Sequence, residues 1–219
     1  ADPYALRRQA LGVINIILAK GYLLPLDSLF DESLAGLRPL LKRPEEEIRK
    51  DLMEFFKGRL ESQLLSQGHP YDVVDAVLAT GVGNLVAANE KILAMESFKS
   101  DADFQPLATA FKRVVHIIRG FHGGAVDPGL FTAEEKNLHE TFLKIRDSVS
   151  NLISRGDYSR ALSELARLRE PVDSFFEAVL VMAEDDKVRF NRLSLLEEIA
   201  GLFHGVADFS KIVTESQGG

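Results

Sequence analysis

The sequence contains no cysteine. Disulfides and thiolate metal sites are therefore excluded, and the composition fits a reducing compartment. It also lacks an apolar run of the ~18–20 residues that a membrane span requires. Gly12 to Leu18 is apolar, but Arg7, Arg8 and Lys20 flank it closely. Ala1-Asp2-Pro3 is not the start of a signal peptide, and no initiator Met is present. The chain is thus expected to be an excised fragment or a processed product. A surplus of positive charge is missing too. There are 26 Lys and Arg against 33 Asp and Glu, for a net charge of −7. Residues before Asp103 carry 12 basic and 15 acidic side chains, and the remainder carry 14 and 18. Nucleic-acid binders usually have a basic balance. Any RNA site on this chain must therefore be a local basic patch on an acidic body. Finally, no window alternates apolar and polar residues for long, and no Asn-Gly or Asp-Gly hairpin signal occurs, which argues against strands.

What remains is helical periodicity in a chain of 219 residues that is 46% hydrophobic and 27% charged. That is enough for a sizeable core in one large domain or two small ones. The first helix is predicted from Pro3 to Lys20, with Gly21 as its stop and Leu6, Ala10, Val13, Ile14 and Ile17 on one face. A short helix reaches about Leu41, and a long one opens on Glu45-Glu46-Glu47 and reaches Gln67. Tyr71 to Thr80 is short and apolar. Gly81-Val82-Gly83-Asn84 follows. No strand precedes it and no third glycine or Gly-Lys-Ser/Thr completes a phosphate loop, so it is read as a helix–helix turn with Asn84 as N-cap. Leu85 to Lys99 is helical, and Ser100-Asp101-Ala102-Asp103 is the expected boundary between two segments, 1–102 and 103–219.

The second segment carries the clearest chemical signal. Leu107, Phe111, Val114, Val115 and Ile118 recur at helical spacing and are expected in a core. Lys112, His116 and Arg119 fall one turn apart on the opposite face, with Arg113 beside them, and no acid lies between Phe104 and Phe121. Such a stripe can hold phosphates, or it can be an ordinary solvated face. Gly120 to Gly129 is expected to be a flexible loop, and its His122 has no partner that would make it a catalytic base. Thr132-Ala133-Glu134-Glu135 has the form of a capping box for a helix to Arg155. Helices from Tyr158 to Arg169, from Val172 to Ala183 and from Lys187 to about Val206 complete the pattern. The acidic run Glu184-Asp185-Asp186 reads as a cap rather than a metal site. On the last helix, Arg189 and Arg192 lie one turn apart with Asn191 between them.

Four separated stretches resemble one family. Phe111-Lys112-Arg113-Val114-Val115-His116-Ile117 resembles the opening motif of the anticodon-binding domain in the β subunit of bacterial glycyl-tRNA synthetases. Met182-Ala183-Glu184-Asp185 and Arg189-Phe190-Asn191-Arg192-Leu193-Ser194-Leu195-Leu196 resemble that domain's last helix. Val206-Ala207-Asp208-Phe209-Ser210-Lys211-Ile212 is similar to its tail, and Asp2-Pro3-Tyr4-Ala5-Leu6-Arg7-Arg8-Gln9-Ala10 to a segment that follows the subunit's HD-type region. His116 stands where an asparagine is expected. The resemblance implies an all-α chain, with a helical connector followed by a DALR-like anticodon-binding bundle. It implies a C-terminal part of an α₂β₂ glycine–tRNA ligase in the cytoplasm, with glycine tRNA and the α subunit as partners. Catalysis, ATP and Mg²⁺ would belong to the α subunit, so this part is expected to hold no catalytic residue, cofactor or metal. Lys112, Arg113, His116, Arg119, Arg189, Asn191 and Arg192 are the expected tRNA contacts. The arginines and the lysine would hold phosphates, while Asn191 and His116 would read base edges. Phe190 is expected to stack on a base or to sit in the core. The acidic balance and the apolar helices leave a second reading open, an all-helical protein-interaction module that ignores RNA. A stand-alone enzyme ranks third, because no nucleophile–base pair, metal cluster or phosphate loop stands out.

Overall fold

Apolar residues repeating every three to four positions make helices throughout the chain, and the computed structural model describes residues 3–214 of it. Two compact units divide the chain, Ala1–Leu93 and Ala94–Gly219. Among the described residues the regular elements are α-helices, joined by three short 3₁₀ turns and one isolated bridge between Pro25 and Asn84. The fold is all-α.

In the first unit the long helix α3 (Glu45–Ser66) packs against α1 (Pro3–Lys20), α2 (Leu26–Ala35) and α4 (Tyr71–Leu78). Helix α2 buries Leu26, Phe30 and Leu34, three residues each four apart, and Phe30 meets Phe56 of α3 edge-on at 5.2 Å. Helix α4 is buried nearly all round, as Val73, Val74, Ala76, Val77 and Leu78, interrupted only by Asp75, require. Gly21 ends α1 at φ 62°, a left-handed position that glycine adopts without a Cβ penalty. Asn84 caps α5 (Leu85–Lys99), its side chain accepting from the Ala87 amide at 3.0 Å, as the sequence predicts. One expectation needs correcting. Ala10, Ile14 and Ile17 of α1 are buried, but Leu6 and Val13 are exposed. They line an open apolar groove of about 490 Å³ with Ile48, Leu52, Phe55 and Phe56 of α3. Residues on the correct helical face thus stay open because the space between them and α3 is left unfilled.

The second unit is built on α6 (Phe104–Ile117), α7 (Ala133–Ser154), α8 (Tyr158–Ala166), α9 (Arg169–Ala178) and α10 (Asp186–His204). Helix α7 packs on α8, α9 and α10, while α6 packs on α9, α10 and the 3₁₀ turn Phe209–Lys211. The Thr132–Glu135 capping box forms as predicted, with the Thr132 amide donating to Glu135 Oε2 at 2.7 Å and Gly156 ending the helix region at φ 76°. Asp157 and Asp185 cap α8 and α10.

The segment between α9 and α10 departs from the sequence reading. A helix to Ala183 is predicted, yet α9 ends at Ala178 and Val179 is extended at φ −114°, ψ 120°. From there the side chains alternate. Val179 and Val181 are buried, and Leu180 and Met182 are exposed. All four residues are apolar, so hydropathy hides this two-residue period. Two arginines of α10 satisfy the carbonyls that a helix would have bonded. Arg192 Nη1 donates to Leu180 O at 2.8 Å, and Arg189 Nη1 donates to Ala183 O at 2.7 Å.

Candidate nucleic-acid interface

Helix α6 supplies the exposed cationic face. Its apolar stripe, Phe104, Leu107, Ala108, Phe111 and Val114, is buried. Phe111 stacks on Phe203 of α10 with ring centroids 3.6 Å apart, and both rings meet Phe209 edge-on. These contacts fix the rotation of α6 about its axis, so the residues half a turn away must face outward. Thr109, Arg113, His116 and Arg119 are exposed and Lys112 is half-exposed. Lys112 Nζ donates to Thr214 Oγ1 at 3.0 Å. Arg113 turns towards α9, its guanidinium 4.2 Å from the Phe176 ring centroid. Val115 and Ile118, expected in the core, are only half-buried and line a shallow groove beside Gly201 and His204 of α10.

The expected contacts on α10 are placed differently. Arg189 is bonded to the Ala183 carbonyl and paired with Asp186. Arg192 is 12% exposed, and its Nε donates at 2.9 Å to Oε1 of Glu135, which is 0% exposed. Asn191 is 3% exposed. Its Oδ1 accepts from the Asp127 amide at 2.6 Å and its Nδ2 donates to the Asp127 carbonyl at 3.0 Å. Base reading by Asn191 would require both bonds to break, and Arg192 is committed to a buried carboxylate. Lys112 and His116 thus lie one turn apart on α6, Arg119 follows in the turn just past its C-terminal end, Arg113 leans on Phe176 of α9, and Arg189, Asn191 and Arg192 serve as braces.

Asn191, with Ser194 and Glu197 of the same helix, holds the segment after α6. The Gly123 amide donates to Glu197 Oε2 at 2.7 Å, the Gly124 amide to Ser194 Oγ at 3.2 Å, and Asp127 to Asn191 as above. Asn191, Ser194 and Glu197 are three residues apart on α10, so one row of polar side chains holds the loop. The expected flexible loop is thus anchored at three backbone positions. A Cβ on Gly123 would crowd the Glu197 carboxylate and touch Phe121 and Ser194, so a larger residue here would push the Glu197 side chain off the Gly123 amide. Sequence reasoning missed Ser194, Glu197 and the Arg192–Glu135 pair. The available signal was the three-residue spacing of the polar residues Asn191, Ser194 and Glu197 on a helix whose Leu193, Leu195, Leu196 and Ile199 are apolar. At the loop's start Phe121 meets Phe190 edge-on at 5.3 Å, and Phe190 remains 45% exposed. No group of three or more His, Asp or Glu that could hold a metal occurs among the described residues, and no helix among them is long and apolar enough to cross a membrane.

Comparison with known proteins gives two matches along the chain. Residues 1–79 match the family model described as glycyl-tRNA synthetase beta subunit, and residues 108–211 match the DALR anticodon binding domain. The glycine–tRNA ligase beta subunit of Syntrophus aciditrophicus is 58% identical over 217 residues, covering 99% of this chain and 31% of that protein. Its counterpart from Geobacter metallireducens is 48% identical over 213 residues, covering 97% and 31%. That from Myxococcus xanthus is 45% identical over 226 residues, covering 99% and 32%. The chain thus spans about a third of the length of the relatives it matches. Its two matched regions occur in the order expected from the resemblance, and the second lies within the unit that carries the α6 stripe and its braces. The chain belongs to the glycyl-tRNA synthetase β-subunit family.

Proposed function

We propose that this chain is a tRNA-reading part of a glycyl-tRNA synthetase β subunit and contacts the anticodon region of glycine tRNA. One observation carries this reading. The DALR match at 108–211 falls on a unit that carries half-exposed Lys112 and exposed His116 on α6 and exposed Arg119 in the turn that follows it. Lys112 and Arg119 hold backbone phosphates, with Arg113 at the edge of their reach. His116 offers a ring nitrogen to an unstacked base. Arg189, Asn191 and Arg192 act behind this face, fixing the loop and the α9–α10 connector. In the whole enzyme the chain supports ATP-dependent attachment of glycine by an α subunit in an α₂β₂ assembly in the cytoplasm. ATP and Mg²⁺ act in the α subunit, and this chain supplies no catalytic residue.

A protein-interaction module is the second reading, and the exposed apolar groove between α1 and α3 favours it for the first unit. Titration of the chain with glycine tRNA and an anticodon-swapped version, at two salt concentrations, separates the readings. The double variant Lys112→Ala/Arg119→Ala is expected to bind several-fold to tenfold more weakly. Its log–log salt slope should be shallower by about 1.4, since each lost single-strand phosphate contact contributes ~0.7. Stability should fall by no more than about 1 kcal/mol, since Arg119 is exposed and Lys112 gives up only its bond to Thr214. Failure of the folded chain to bind either RNA at low salt would leave only the protein-interaction reading.

A further inference from the structure

A second feature lies beyond the cationic stripe. One residue past Gly120, Phe121 supports Phe190, and the Phe190 ring borders an open pocket of about 320 Å³. That volume falls at the lower end of the ~300–1,000 Å³ range of small-ligand pockets. Ala125 and Leu130 supply its other apolar surface, and Asp127, Asp186 and Lys187 its charged groups. The backbone forming it is held in place, because Asn191 bonds both the amide and the carbonyl of Asp127. Asp127 Oδ1 accepts from the Gly129 amide at 2.9 Å, and one Asp186 oxygen pairs with Arg189. The second oxygen of each carboxylate has no hydrogen-bond donor among the described residues.

We propose that this pocket takes one unstacked, amine-bearing base of a single-stranded RNA loop, stacked on Phe190 with its exocyclic N–H donors facing Asp127 and Asp186. The proposal rests on the RNA-reading function and names a specificity subsite within it. Charge selects the occupant. Two carboxylates repel a phosphate, and they accept from the amino group of cytosine or adenine while facing the carbonyl edge of uracil unfavourably. An exposed aromatic face suits a splayed base, since stacking on aromatic side chains is how unpaired nucleotides are held. Lys187, at the rim, is placed to hold the flanking phosphate. Phe121, two residues past Arg119, links the cationic stretch to the Phe190 ring.

The test is anisotropy titration of the 219-residue chain with a labelled anticodon stem-loop of glycine tRNA, and with the same RNA carrying uridine at each loop cytosine and adenine. Phe190→Ala is expected to weaken binding by about 5- to 150-fold, the range for losing one stacked base, with the salt slope unchanged. Phe190→Trp, which keeps a stacking face, should stay within about threefold of the parent. Phe190→Leu retains apolar contact with Phe121 without a ring, and should lose affinity even if the alanine variant proves unstable. Asp127→Asn keeps the acceptor for Gly129 and should narrow the preference for the native over the uridine-substituted RNA. If Phe190→Leu binds normally while Lys112→Ala/Arg119→Ala is weakened, the pocket proposal is overturned and RNA reading stands. Equal binding of the native and uridine-substituted RNAs also overturns it. If the folded parent binds neither RNA, both readings fall together.

Discussion

Arg192→Ala is expected to destabilise the second unit by about 3–5 kcal/mol, the cost of breaking a buried ion pair by removing one partner. The reason is what the substitution leaves behind. Glu135 is fully buried and Arg192 nearly so, and they meet at 2.9 Å. Without the guanidinium, the Glu135 carboxylate keeps only its bonds from Thr132, and the Leu180 carbonyl loses its donor. Three segments are affected at once: the start of α7, the middle of α10 and the extended connector after α9. Arg192→Lys should recover only part of the loss, because one ammonium lacks the fork that reaches both Glu135 and Leu180. Replacing both partners with apolar residues should cost much less than either single change, as buried pairs exchanged for packed side chains are often near neutral. Urea unfolding of the two single variants and the double variant measures this. A loss below about 1 kcal/mol for Arg192→Ala, on the scale of an exposed pair, would contradict the buried bridge.

Acid provides an independent check. Burial pushes the Glu135 carboxyl up, but hydrogen bonds from Arg192 and Thr132 outweigh it, and the folded pKa lies below the ordinary glutamate value. A carboxyl with a lowered folded pKa stabilises the fold above its unfolded value of ~4.3, and that contribution is lost as pH falls through the folded value. Glu135→Gln removes the ionisation while retaining an acceptor for the capping box. The stability gap between parent and Glu135→Gln should therefore be largest near neutrality and narrow progressively below about pH 4. A gap that does not change with pH would show that the charge contributes nothing.

Phe203→Ala should be comparably damaging, at about 3–5 kcal/mol. Phe203 is fully buried, stacks on Phe111 and meets Phe209 edge-on at 5.3 Å. Its removal leaves a cavity where α6, α10 and the Phe209–Lys211 turn converge. Phe203→Leu refills much of that space and should cost distinctly less. The same contacts set the rotation of α6, so Phe203→Ala should also weaken RNA binding through the Lys112–Arg119 face, an effect that Phe203→Leu should largely spare. Denaturation of both variants, followed by RNA titration under conditions where each is folded, separates the two effects.

The sequence by itself determined the helices and most of their ends. Gly21, Asn84, the Thr132–Glu135 box, Gly156, Asp157 and Asp185 act locally, through bonds to residues at most a few positions away, so the chain states them directly. The polar side of α6 was equally legible, because burying Phe104, Leu107, Phe111 and Val114 turns Arg113 and His116 outward and leaves Lys112 at the flank. Only the tertiary structure decided what Arg189, Asn191 and Arg192 do. Spacing places them on one turn of α10 but says nothing of Asp127, sixty-four residues from Asn191, or of Glu135, fifty-seven from Arg192. It also decided that α9 ends at Ala178 and that Leu6 and Val13 stay open. Periodicity shows which side of an element is apolar. Whether that side is covered, and whether a charged group meets solvent or a buried partner, depends on segments distant in sequence that only folding brings alongside.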